Sequence, residues 1–292
     1  MKVSKETQAI VDAITSLKVE SNLVVDYLIP VLSIICSALI GFVVAYFTLL
    51  HQEKISIQKE RIKEINDWSV MIHEAMLSLI AIKNNYIGKL NSDPLRRTLS
   101  IPSIIGDHQK LDKNTSGLAF VASIGNYNGI EKELLGWAAT NRVYSMIHNY
   151  NSLLDIWDKR SQLERPIKEG LVKEYGKYGY AEIPSEVIEE IYNKSEVVSL
   201  MELTELAISL TDGLIIEMKS FTVSISEIGK KLIKKSYIKK YGPVLIYDYN
   251  ANKKLQHFFE VSPKVDYDML VKLTGKPLEY FEKKYDFTYQ KV

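Results

Sequence analysis

The densest chemistry in this chain is cationic. Lys230, Lys231, Lys234, Lys235, Lys239 and Lys240 fall within residues 230–240, a stretch with no acid and with Tyr237 interleaved; Tyr241 follows. Ammonium groups so spaced attract phosphate oxygens, whether of a lipid headgroup or of a nucleic acid backbone, through charge rather than shape. The same lysines suit a solvated helix end, because cations complement the partial negative charge there. Residues 182–205 carry seven Glu and one Lys, so a helix joining the two stretches is charged in the direction its macrodipole favours.

Other reactive patterns are fragmentary. Gly88, Gly176, Gly229 and Gly275 each precede a lysine, but no Ser or Thr follows, and neither a P-loop nor a dinucleotide-binding glycine fingerprint is present. His51, His73, His108, His148 and His257 form no metal-binding pair along the chain. A single cysteine, Cys36, excludes intrachain disulfides and cysteine-rich zinc sites. Ser123 has the downstream glycine of a nucleophile elbow, Gly125, without the upstream one, and reads as a loop serine. Arg142, His148 and Asn149 can share a helix, yet spacing fixes no carboxylate beside them, so a polar face flanking a helical core is expected. No cofactor or metal is expected, and an enzyme would need a site gathered from distant segments.

What positions any of these groups is the segment Tyr27 to Leu50, which contains no Asp, Glu, Lys, Arg or His. As a helix it would span roughly 36 Å, enough to cross a hydrocarbon core of about 30 Å. Within it Ser33, Ser37, Gly41 and Ala45 recur every fourth position, a row of small side chains that lets a second helix approach closely in lipid. Pro30 falls in the first turn, where the missing donor costs nothing. Residues 12–26 carry one lysine, whereas residues 51–65 carry Lys54, Lys59, Arg61 and Lys63. The positive-inside rule therefore puts the N-terminus outside and the C-terminal bulk in the cytoplasm, at an inner membrane. The apolar run is too long for a cleaved signal peptide.

The rest of the chain reads as helical. Residues 1–22 form a short amphipathic segment with Ser4 as its cap, and residues 23–50 form the membrane helix. Beyond Leu50 no breaker precedes Gly88, and Ile65, Trp68, Ile72, Ala75, Leu79 and Ile82 keep heptad spacing, so the membrane helix continues as a stalk or packs on the chain's own later helices. A loop-rich insertion at 91–128 interrupts this pattern. A second helix spans about 130–165 and ends before Pro166, and a third starts at Ser185 and reaches towards Lys235, with Gly213 and Gly229 as places to bend. With three helices running alternately away, back and away, the lysines would end far from the membrane, which favours a cytoplasmic partner over a headgroup. Residues 51–240 thus form a cytoplasmic helical bundle. Residues 241–292 form a small α+β region, with strands at Val244–Tyr247 and Leu255–Phe259 and one or two short helices through Tyr285.

The fold class expected is mainly α, with one transmembrane helix. Near-neutral net charge, +1, selects no class of partner for the whole chain. The expected partners are the lipid bilayer, a second copy of the chain and a cytoplasmic protein, with nucleic acid a lesser expectation. The function expected is a membrane-anchored interaction or sensing protein. The alternatives are a membrane-disrupting effector, such as an antiviral defence system would use, and an enzyme with a non-contiguous site.

Overall fold

Long apolar-periodic segments with few internal breakers fold here into long helices, and the connections between them are tied down by side chains rather than by sheet. The computed structural model describes residues 4–16, 23–104, 109–122, 136–176 and 194–286. The chain divides into two compact units, Met1–Ile57 and Gln58–Val292.

In the first unit, α1 (Lys5–Ser16) is capped as expected, with Ser4 Oγ accepting from Thr7 N at 3.3 Å. Ile10, Val11 and Ile14 are exposed along it. A π-helical turn at Val24–Leu28 leads into α2 (Ile29–Asn84), whose side chains are exposed from Ile29 through Leu49. This is one helix long and apolar enough to cross a membrane.

In the second unit the same helix changes character. Ile65, Trp68, Ile72, Ala75, Leu79 and Ile82, the heptad positions, are all buried in the main core. Three further segments follow: α3 (Pro94–Ser100), a 3-10 turn at Thr115–Leu118, and one turn of helix, α4 (Ala119–Ala122). Two long helices complete the bundle, α5 (Thr140–Tyr175) and α6 (Lys194–Leu232). Pro166 does not end α5, which continues about two and a half turns further. Proline removes one donor. The turns beyond it are held by Ile167 and Leu171, which pack with Leu95, Val197, Leu200 and Met201. The start expected for the third helix at Ser185 lies outside the described residues.

The polarity of the bundle differs from simple alternation. Along α2, Trp68 meets Phe221 edge to face and Lys83 meets Asp212, so α6 runs antiparallel to α2. Tyr86 stacks near Trp157, while Trp157 bonds Thr211 and Arg160 bonds Thr204, so α5 is antiparallel to α6 and parallel to α2. The connection from α3 makes the return trip instead. Ser103 bonds Glu164, Ile104 bonds Ser161, Leu111 bonds Asn151, and Lys113 lies 3.3 Å from Glu64. The lysine-rich close of α6 therefore lies at the Lys59–Ile65 end of this unit, not at the far one.

The C-terminal region corrects the α+β expectation. Among the described residues there is no strand. After α7 (Lys235–Tyr241) the chain from Pro243 to Tyr247 is neither helix nor strand, and its partner is a helix side chain: Asn66 donates from Nδ2 to the Pro243 carbonyl at 3.0 Å and accepts from Leu245 N at 2.9 Å. One amide thus satisfies the backbone groups a ladder would have used. Leu255–Phe259 is helical, because Asn252 caps α8 (Lys253–Gln256) by accepting from Lys254 N, and a 3-10 turn at His257–Phe259 continues it. Two short helices follow as expected, α9 (Tyr267–Thr274) and α10 (Leu278–Tyr285), sharing a small core of Val265, Leu270, Phe281 and Tyr285 with Leu206 of α6.

Gly229 lies inside α6, where it lets α6 approach α2. A Cβ there would lie 3.1 Å from Cγ2 of the fully buried Ile65. Gly229→Leu should overpack this contact and cost about 1–3 kcal/mol of unfolding free energy, measured by denaturant titration of the detergent-solubilised chain. Stability equal to the parent would mean that the helices do not meet there.

Candidate functional site

Inside the bundle, α6 gathers charge. Three cationic side chains from three different elements reach it, each buried. Lys83 of α2 meets Asp212 at 2.7 Å, with side-chain exposures of 1% and 4%. Its ammonium also donates to the carbonyls of Phe258 and Glu260, while Asp212 accepts from Ser262 N at 2.6 Å. The pair therefore fastens the C-terminal segment to the bundle. Arg97 of α3 meets Glu205 at 2.8 Å. Arg160 of α5 donates to Thr204 of α6, to Glu164, and to the carbonyls of Thr98 and Ile101. Lys168 completes this last cluster on the other oxygen of Glu164.

Burial governs the titration of these groups. It lowers Arg160 and Lys168 against the pull of Glu164, and it raises the Tyr86 phenol well above its ordinary value. Burial also pushes Glu205 up to about 7, opposed by Arg97. A carboxyl near 7 is what acid–base catalysis uses. Glu205 is only 4% exposed and already paired with Arg97, so its geometry is that of a fastener.

A second charged cluster faces solvent where α6 meets α10. Glu202 accepts from Lys276 on one oxygen and from Lys284 at 2.7 Å on the other, and the Tyr280 hydroxyl lies within 3.4 Å of each of these three side chains. Burial would raise Glu202, but Lys276 and Lys284 outweigh it and hold the carboxyl low. Beside it lies an open groove of about 420 Å³, lined by Lys159, Leu163, Ser199, Leu203, Glu202 and Lys284 among others. With both lysines turned to Glu202, the groove offers mixed polarity and no aligned acid–base pair.

Comparison with protein-family models, curated proteins and solved structures finds no match.

The residues singled out by sequence are distributed as follows. Ser33, Ser37, Gly41 and Ala45 are exposed on α2, and a Cβ on Gly41 would meet nothing within 4 Å. Lys231, Lys234, Lys235, Lys239 and Lys240 are exposed, and Lys230 pairs with Glu227. Arg142 parts from His148 and Asn149: its guanidinium lies 3.9 Å from the Trp137 ring centre and reaches Glu217, while the other two are exposed. His73 is half-buried, stacked on Tyr247 and bonded to Tyr249 at 3.0 Å, and burial lowers its pKa. Ser123 and His108 lie outside the described residues. Sequence reasoning missed the buried ions. The available signal was a charge at a core position, since Lys83 falls one residue after Ile82 of the heptad row and Asp212 and Glu205 interrupt the apolar face of α6.

Two measurements test the fasteners. Lys83→Met should cost about 3–5 kcal/mol by leaving Asp212 buried and uncompensated. It should also raise hydrogen exchange across residues 257–262; exchange unchanged there would detach the C-terminal segment from this pair.

Glu205 binds its proton more tightly folded than unfolded, where its ordinary value is 4.5. Its contribution to stability is therefore full below that value, declines as pH rises, and is lost above about 7. Glu205→Gln should flatten this part of the stability profile. Unfolding followed by fluorescence of the buried Trp68, Trp137 and Trp157 reports it, and an unaltered slope would show that the carboxyl is ionised throughout.

Proposed function

We propose that this chain is a single-pass membrane protein whose cytoplasmic helical bundle is an interaction or sensing module, and which self-associates through its membrane helix. The observation that carries the reading is the change of character within α2. Its apolar side chains are exposed from Ile29 through Leu49, whereas those from Ile62 through Ile82 fill a core. A continuous exposed apolar surface of that length is unfavourable in water and favourable in hydrocarbon. Lysine and arginine bias after Leu50 supports a cytoplasmic bundle.

Self-association is supported by the exposed row of small residues. In lipid, where no hydrophobic drive pulls helices together, association depends on close backbone approach, and Gly41 allows the closest. The bundle supplies the contrast. Its interior is closed by the fasteners on α6, so contact with a partner falls to its surface.

Orientation is tested by a reporter fused after Val292, which should be active in the cytoplasm; activity confined to the other side reverses the topology. Association is tested by crosslinking in membranes. Gly41→Ile should insert normally and reduce dimer yield several-fold, whereas the same change at Leu39 or Val43, off the row, should not. Equal yields from all three would remove the packing row. Collapse of the membrane potential on induction, abolished by Gly41→Ile, would instead favour a membrane-disrupting effector.

A further inference from the structure

We propose that the close of α6 together with α7 is a docking surface for anionic lipid headgroups. The proposal rests on the membrane reading of Tyr27–Leu50 and names what the adjoining end of the bundle does there. Sequence polarity alone would carry these lysines away from the bilayer. The observed antiparallel run of α6 brings them instead to the first bundle turns of α2, where Lys59 Nζ lies 4.7 Å from the Tyr241 ring centre.

Lys59 lies nine residue steps beyond Leu50. Even fully extended they reach no more than about 32 Å, and as helix about 14 Å. A tether this short leaves α7 within reach of the surface.

The charge is concentrated and outward. Residues 228–247 contain the six lysines and no acid. Tyr237, Ile238 and Tyr241 pack on the core, and the two tyrosines stack at 5.9 Å, so one face of α7 is fixed. Lys235 and Lys239, four residues apart, lie on the other side and are exposed. Among the described residues no carboxylate pairs with Lys234, Lys235 or Lys239. Local electrostatics does not account for all of them. The macrodipole of α6 favours Lys230 and Lys231 in its last turn, but Lys234 and Lys235 open α7, where a cation is disfavoured. An external anionic surface offsets that cost. The cytoplasmic leaflet supplies one, and each lysine close to it adds to binding within a Debye length.

The test uses the full chain in nanodiscs. Cys36→Ser removes the one native thiol, and Ser236→Cys, exposed on α7, takes a donor fluorophore; the acceptor is a headgroup-labelled lipid. Energy transfer should be higher in discs rich in phosphatidylglycerol than in phosphatidylcholine alone, and the difference should vanish at about 0.5 M salt. Replacing Lys234, Lys235, Lys239 and Lys240 with Gln should abolish the difference while leaving disc assembly intact. Equal transfer in both lipids, or a difference that survives the four substitutions, overturns the proposal. So does capture of an oligonucleotide by the parent chain with no response to lipid, which would make the lysines a nucleic-acid surface. Failure of the chain to enter discs at all would remove the membrane reading itself.

Discussion

A buried ammonium must be surrounded by oxygen, and the arrangement of the second unit follows from that constraint at Lys83. Taking a lysine out of water costs several kcal/mol unless its charge and its donors are all met. Asp212 supplies the counter-charge and the carbonyls of Phe258 and Glu260 supply further acceptors, which fixes α2, α6 and the C-terminal segment in one register. Apolar packing alone tolerates a slip of one turn between helices. A charge with a single geometric solution does not, and Arg97 with Glu205 and Arg160 with Thr204 repeat the device about two turns away along α6.

The segments between helices obey the same rule with weaker groups. A chain lying on helices has no neighbouring strand to accept its donors, so the helices lend side chains. Asn66 pairs with Pro243 and Leu245, Asn151 accepts from Leu111 N and donates to its carbonyl, and Ser161 does likewise at Ile104. The local composition of Val244–Tyr247 is that of a strand, and β-propensity reports only that the residues suit an extended, half-buried path. Whether the partner is a strand or an asparagine on a helix is decided 177 residues away in sequence, by Asn66. No local pattern carries that information.

Helix existence was legible for the opposite reason. The burial of Ile65, Trp68, Ile72 and Leu79 is written in their spacing, because a helix exposes its own periodicity within a few residues. Helix direction was not legible. Short connections imply alternation, but residues between α3 and α5 are numerous enough to travel the length of the bundle, and the contacts of Leu111 with Asn151 and of Lys113 with Glu64 show them doing so. Loop closure grows only slowly in cost with length, so such a return is thermodynamically cheap. One long loop reversed the inferred position of the lysine cluster.

The remaining question is how α2 stays helical between its two environments. Residues 51–61 are neither uniformly apolar nor part of the core; all but Ile55, Gln58 and Arg61 are exposed. Apart from Lys59 on Tyr241 and Arg61 on Phe120, little packing holds them, so intrinsic preference carries most of the helix. The stretch is rich in Gln, Glu, Lys and Arg, which lose little on entering a helix, and it contains no Gly, Pro, Ser-rich or Asn-rich interruption. Three regimes therefore succeed one another along one helix: apolar on all sides, mainly polar, then apolar on one face. The first stretch is apolar and exposed, the second is mainly polar and exposed, and only the third is buried in the core. Helix formers in the middle stretch keep it helical with little help from neighbouring elements.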